Sequence, residues 1–143
     1  MNLAAGDADR RLIVEDYTEL AGSQAANIAS GKFVHLQGPD RGYLLLSRTS
    51  RTPYHAQIVQ LFCSRHPGVE IVMHAKDEGE LVSPGWFIRG GGYFRHDRDS
   101  CSLWLWGSSK AYGPFQGAFL RTRLMKQEPW TSYQIFLEEP HRL

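Results

Sequence analysis

The sequence predicts an α+β (mixed α/β) domain: a single mixed β-sheet of about six strands with two helices packed on it. Three observations lead there. Short runs rich in β-branched and aromatic residues recur along most of the chain, bounded by Gly, Pro, Asp or Ser. Only two stretches, near residues 53–65 and 115–126, keep a helical apolar stripe. A chain of 143 residues is of a size to bury one real core without disulfide staples.

Taken in order, Arg11 to Tyr17 is compatible with a strand, and residues 23–27 with loop or a helical turn. Residues 1–28 are therefore set apart as a poorly defined N-terminal extension, with the domain at 29–143. Lys32–Gln37 and Tyr43–Arg48 flank Gly38-Pro39-Asp40-Arg41-Gly42 and read as a hairpin. The first helix spans Pro53 to about Arg65, with Thr52 as its N-cap, Pro53 at its first position, and His66-Pro67-Gly68 ending it. A strand at Val69–His74 precedes a charged loop from Lys76 to about Ser83. Trp86-Phe87-Ile88 leads through Gly90-Gly91-Gly92 into Tyr93–His96, and Asp97–Ser100 forms a polar turn. Cys101–Gly107 is the most strand-like run, followed by a loop at Ser109–Pro114. Phe115 to about Lys126 forms the second helix, Tyr133–Leu137 the last strand, and Glu138–Leu143 an exposed tail.

Composition narrows the function classes. Hydrophobic residues at 42% and charged residues at 22% are ordinary for a globular protein. Sixteen Lys+Arg against 15 Asp+Glu give a net charge of +1, which supplies no bulk attraction to nucleic acid or anionic membrane. Cys63 and Cys101 are too few for a disulfide framework and read as reduced, partly buried thiols, the first in a helix and the second in a strand. No secretory or transit pattern opens the chain, and no apolar run reaches the ~18 residues of a membrane span. A monomeric cytoplasmic protein is expected.

Several chemistries are excluded by motif. The arginine that a cysteine-dependent phosphatase places six residues after its nucleophile is missing: Val69 and Gly107 occupy those positions. Arg65-His66 runs into Pro67 and Arg95-His96 into Asp97, so there is no Arg-His-Gly motif. Neither a P-loop nor a Gly-x-Ser-x-Gly elbow is present. The six histidines form no i, i+4 pair or Cys/His cluster, and His96-Asp97-Arg98-Asp99 reads as a solvated turn, so neither metal nor cofactor is expected. The best functional clue is His55, in the first turn of the first helix, beside unpaired backbone amides at the positive end of the helix dipole, a place that attracts phosphate. The triple glycine reads either as a bulge or as a point of close backbone approach. Ser109–Pro114 reads either as a plain turn or as an anion-binding nest.

Tyr54-His55-Ala56-x-Ile58, Gly90-Gly91-Gly92 with His96, and Gly107-Ser108-Ser109-Lys110-Ala111-Tyr112-Gly113-Pro114-x-Gln116-x-Ala118 together resemble the Janus/Ocnus family, which includes small protein histidine phosphatases. Ala111-Tyr112-Gly113-Pro114 is the most specific piece, and the resemblance covers roughly residues 32–137. It implies a phosphohistidine-phosphatase-like sheet flanked by two helices, and metal-independent hydrolysis of phosphohistidine in proteins or peptides. It places His55 as general base or nucleophile. The Ser109-Lys110-Ala111 loop falls on the family's phosphate-binding loop, and the first-turn amide of Ala56, at the helix end, is expected to share in holding the phosphate. Lys32 matches the substrate-contacting lysine across a loop of different length. Some members carry arginine directly after the triple glycine, where this chain has Tyr93; Arg95, on the same strand face, is the candidate to supply that charge. The alternative is a non-catalytic module of the same fold that binds phosphate or a phosphoprotein.

Overall fold

The structure, a computed structural model, describes residues 11–19 and 27–140. Its first strands are β1 (Leu12–Asp16), β2 (Ile28–Gln37) and β3 (Gly42–Ser47), followed by helix α1 (His55–Arg65). Next come β4 (Ile71–Ala75), β5 (Glu78–Leu81), β6 (Phe87–Asp97) and β7 (Ser102–Trp106). The chain continues through β8 (Ser108–Ser109), β9 (Gly113–Pro114), helix α2 (Gly117–Leu124) and β10 (Gln134–Phe136). Six strands form one mixed sheet in the order β1-β3-β2-β6-β7-β10. Its two outer pairs, β1 with β3 and β7 with β10, are parallel, and the inner pairs are antiparallel. β4 with β5 and β8 with β9 make two separate two-stranded ladders.

One helix covers each face of the sheet, and the period-2 alternation of strand residues shows why. Phe33, Leu44, Leu46, Phe94 and Leu105 face α2, where Leu120 and Leu124 close a core. Val34, Leu36 and Leu45 face α1 and meet Ile58, Val59 and Phe62. Burial on both faces accounts for the unbroken apolar run of β3, every residue of which is buried. Each fully buried Leu or Phe contributes about 1.5–3 kcal/mol. In α1 the buried positions are His55, Ala56, Ile58, Val59 and Phe62, a stripe of helical period.

The α+β class, the six-stranded mixed sheet and the two helices agree with expectation, and the β2–β3 hairpin stands where Gly38–Gly42 marks it. Other features differ. Residues 12–16, set apart with the extension, are an edge strand, because Leu12 and Tyr17 have core to enter and Arg98 reaches Asp16 at 3.0 Å. The division at residue 28 therefore falls within the sheet. The charged loop at residues 76–83 contains β5, whose Leu81 packs toward Phe62. Phe87–Asp97 is one strand running through the triple glycine. Cys101 lies in the β6–β7 turn at φ 51 rather than in a strand, and both thiols are free. The readings for residues 1–10, 23–26 and 141–143 lie outside the described residues. Among the described residues no helix is long and apolar enough to cross a membrane.

Candidate functional site

The start of α1 sits two residues later than its sequence signals indicate. Thr52 does not cap the helix: its hydroxyl lies 2.7 Å from Ser47 Oγ and 3.2 Å from the Arg48 carbonyl oxygen, closing the turn after β3. In both contacts the hydroxyl donates, and with the helix beginning only at His55, Thr52 stands two residues before the N-cap position. Tyr54, extended at φ −119 and ψ 145, is the N-cap instead, and its N–H donates to Gln57 Oε1 at 3.3 Å. His55 is thus the first helical residue, where it and Ala56 present amides with no intrahelical acceptor.

His55 is only 6% exposed. Its Nε2–H donates to the Gly92 carbonyl at 3.0 Å, because a carbonyl can only accept. This fixes the tautomer and leaves Nδ1 with the lone pair. Burial pushes the imidazole below its usual pKa and the Lys32 charge acts the same way, against the opposing Gly92 bond. The ring is neutral at pH 7.

The triple glycine serves both readings given above. β2 and β6 shift register between His35 and Leu36, which leaves Arg89 as the extra residue beside Gly90 at φ 126. Gly91 lets the catalytic candidate approach: a Cβ there would stand 3.0 Å from His55 Cδ2 and 2.5 Å from the Phe33 carbonyl oxygen. Gly91→Ala is expected to lower stability by about 1–3 kcal/mol and to displace the His55 ring. Chemical denaturation and the His55 ring proton resonances check this; unmoved resonances would show that the glycine does not set the ring position.

A cavity of about 520 Å³ opens beside His55. Lys32 of β2 and Tyr93 of β6, directly opposite one another in register, line one part of it. Lys32 Nζ donates to the Pro53 carbonyl and lies 5.9 Å from the ring centres of both Tyr54 and Tyr93. Lys110, Ala111 and Tyr112, the tip between β8 and β9, form a second part. Asp77, Glu78 and Gly79, from the β4–β5 hairpin, form the third.

Of the residues singled out on sequence, His55, Lys32, Lys110 and Ala111 line this one cavity. Three others do not. Ser109 is buried, and its Oγ accepts from the Tyr112 N–H at 3.0 Å, so it shapes the tip that presents Lys110 and Ala111. The Ala56 side chain is wholly buried in the core under α1, leaving its amide as the group at the helix end. Arg95 lies two residues beyond Tyr93, half-buried between Ser30 and Trp104, because the strand carries it past the cavity. Asp77, Glu78 and Tyr112 were missed as site residues; the one legible signal of the two acids is the Lys76–Ser83 charge cluster, which reads as ordinary solvated loop, and that of Tyr112 is its place in the Ala111–Pro114 motif. Among the described residues no group of three or more His, Cys, Asp or Glu is arranged to hold a metal ion.

Fold and site together define an α+β protein with a desolvated histidine at a helix N-terminus, facing a cavity lined by charges of both signs. No protein-family model matches the sequence, and no curated protein matches it.

Proposed function

We propose that the protein is a metal-independent protein histidine phosphatase, hydrolysing phosphohistidine in proteins or peptides, with a phosphohistidine-phosphatase-like fold. The observation that supports this best is the convergence of three distant segments on one cavity: the α1 end with His55, Lys32 on β2, and the Lys110-Ala111 tip. These are segments of the Janus/Ocnus resemblance, and a mixed sheet with a helix on each face suits that family.

Phosphoryl transfer is mostly positioning and charge stabilisation. The His55 and Ala56 amides, the amides of the Lys110-Ala111 tip and the Lys32 ammonium hold the phosphoryl oxygens. His55 Nδ1, left with its lone pair by the Nε2–H bond to Gly92, takes a proton from a water whose oxygen bonds to phosphorus. The P–N bond breaks, its electron pair going to the leaving imidazole, which takes a proton from solvent water while His55 returns its own proton to solvent. The other route is attack by His55 Nδ1 itself, giving a phosphorylated enzyme that water then hydrolyses.

Tyr93 favours the second reading, a module that binds phosphate without turnover, because it places a ring where some members carry a cation. Phosphate release from a chemically phosphorylated histidine peptide separates the two. The expected result is catalytic, multiple-turnover release with recovery of the unmodified histidine. Binding of the peptide without release selects the module, and neither binding nor release overturns both readings.

A further inference from the structure

The cavity is built for more than an anion. Asp77 and Glu78 line the same cavity as Lys32 and Lys110. Two carboxylates facing a phosphoryl dianion weaken its binding unless the same ligand brings a cation to them. Neither acid has an ion-pair partner among the described residues, whereas the neighbouring Glu80 lies 3.5 Å from His74. His55 lines the same cavity, and among the described residues its ring has only the Nε2 hydrogen bond to Gly92, so Nδ1 is open to a ligand.

The placement of the acids is specific. A two-stranded ladder is marginal alone, yet β4–β5 is pinned at its base and near its tip. At the base the Glu70 N–H donates to Ser83 Oγ at 2.9 Å, and Ile71 and Leu81 pack toward Phe62. Near the tip the Tyr112 hydroxyl donates to the Gly79 carbonyl at 2.8 Å. That single bond ties the acidic hairpin to the tip that presents Lys110 and Ala111. A volume of about 520 Å³ is that of a site for a drug-sized ligand, which leaves room for a second side chain beside a phosphorylated one.

We propose that Asp77 and Glu78 select substrates in which an arginine or lysine lies next to the phosphorylated histidine. This rests on the phosphohistidine reading and deepens it: Lys32, Lys110 and the amides take the phosphoryl group, and the hairpin acids take the neighbouring cation. Both acids are exposed at a hairpin tip, so replacing them leaves the core intact.

The test uses three phosphohistidine peptides differing only in flanking residues, with Arg, Gln or Glu, measured for binding by fluorescence anisotropy and for turnover by phosphate release. The wild type is expected to prefer the Arg-flanked over the Gln-flanked peptide by about five- to tenfold in Kd and kcat/KM. D77N/E78Q brings that ratio close to one, and D77K/E78K turns the preference toward the Glu-flanked peptide. A wild type indifferent to the flanks, or a D77N/E78Q variant that keeps the full preference, overturns the proposal. Preferential binding with no phosphate released from any peptide removes the hydrolase reading while charge selection stands.

Discussion

His55→Ala is expected to lower phosphohistidine hydrolysis by roughly 10²–10⁴-fold, the span that a positioned general base contributes. The size follows from geometry. The imidazole is pinned through Nε2 to the Gly92 carbonyl, and among the described residues no other histidine lines the cavity. Since the side chain is almost wholly buried, Ala also leaves a void, so His55→Gln is the better paired variant: its amide can still donate to Gly92 O while lacking a basic nitrogen. Loss of activity in both variants, with an unfolding midpoint for His55→Gln near the wild type, assigns the loss to chemistry. The pH profile gives an independent check. Burial and Lys32 hold the imidazole below its usual pKa, so the reactive neutral form persists through neutrality and the rate falls only on the acid side of pH 6.5. Activity that survives in His55→Gln, or an acid limb centred well above pH 6.5, would remove His55 from the base role.

What the sequence made legible and what it hid divide along physical lines. α1, β2, β3 and β7 are readable because each carries its own local signal: a helical stripe, or a β-branched and aromatic run between Gly and Pro. The parallel pairings of β1 and β10 have no such signal, since a parallel neighbour is chosen by long-range packing and not by a tight turn. Thr52 misled for a related reason. Its N-cap propensity is real, but in the fold its hydroxyl donates to Ser47, 2.7 Å away, in the turn after β3, and the helix begins only at His55. In the site, His55 was legible from its place in the first turn of a helix, while Lys32, Lys110 and Ala111 were found through motif resemblance. Asp77 and Glu78 line the cavity through long-range contacts of their hairpin, among them the bond from Tyr112, more than thirty residues downstream, to Gly79. Ser109 shows the limit of motif transfer: the residue type is right, but its Oγ accepts from the loop's own backbone.

His35→Leu is expected to remove most of an acid sensitivity built into the sheet. His35 follows Val34 on β2 and so faces α2, with its ring 5.8 Å from that of Phe119. It is 1% exposed, and neither ring nitrogen has a hydrogen-bond partner among the described residues. Burial first, then the charges of Arg89 and Arg123, push its pKa down to about 4. The folded protein therefore keeps this imidazole neutral where the unfolded chain, titrating near 6.5, takes up a proton. Above pH 6.5 the group adds no pH dependence. As the pH falls from 6.5 toward 4 the unfolded state binds the extra proton, and stability drops, by about 2 kcal/mol at pH 5 relative to pH 7.5. His55, also depressed, pushes in the same direction, so the variant keeps a smaller residual slope. At pH 7.5 the change is itself stabilising by about 1 kcal/mol, since it replaces a buried unpaired polar ring with an apolar group of similar size. Urea unfolding of the wild type and His35→Leu at pH 5 and 7.5 measures both effects. Equal losses in the two proteins on acidification would show that His35 is not the group that titrates.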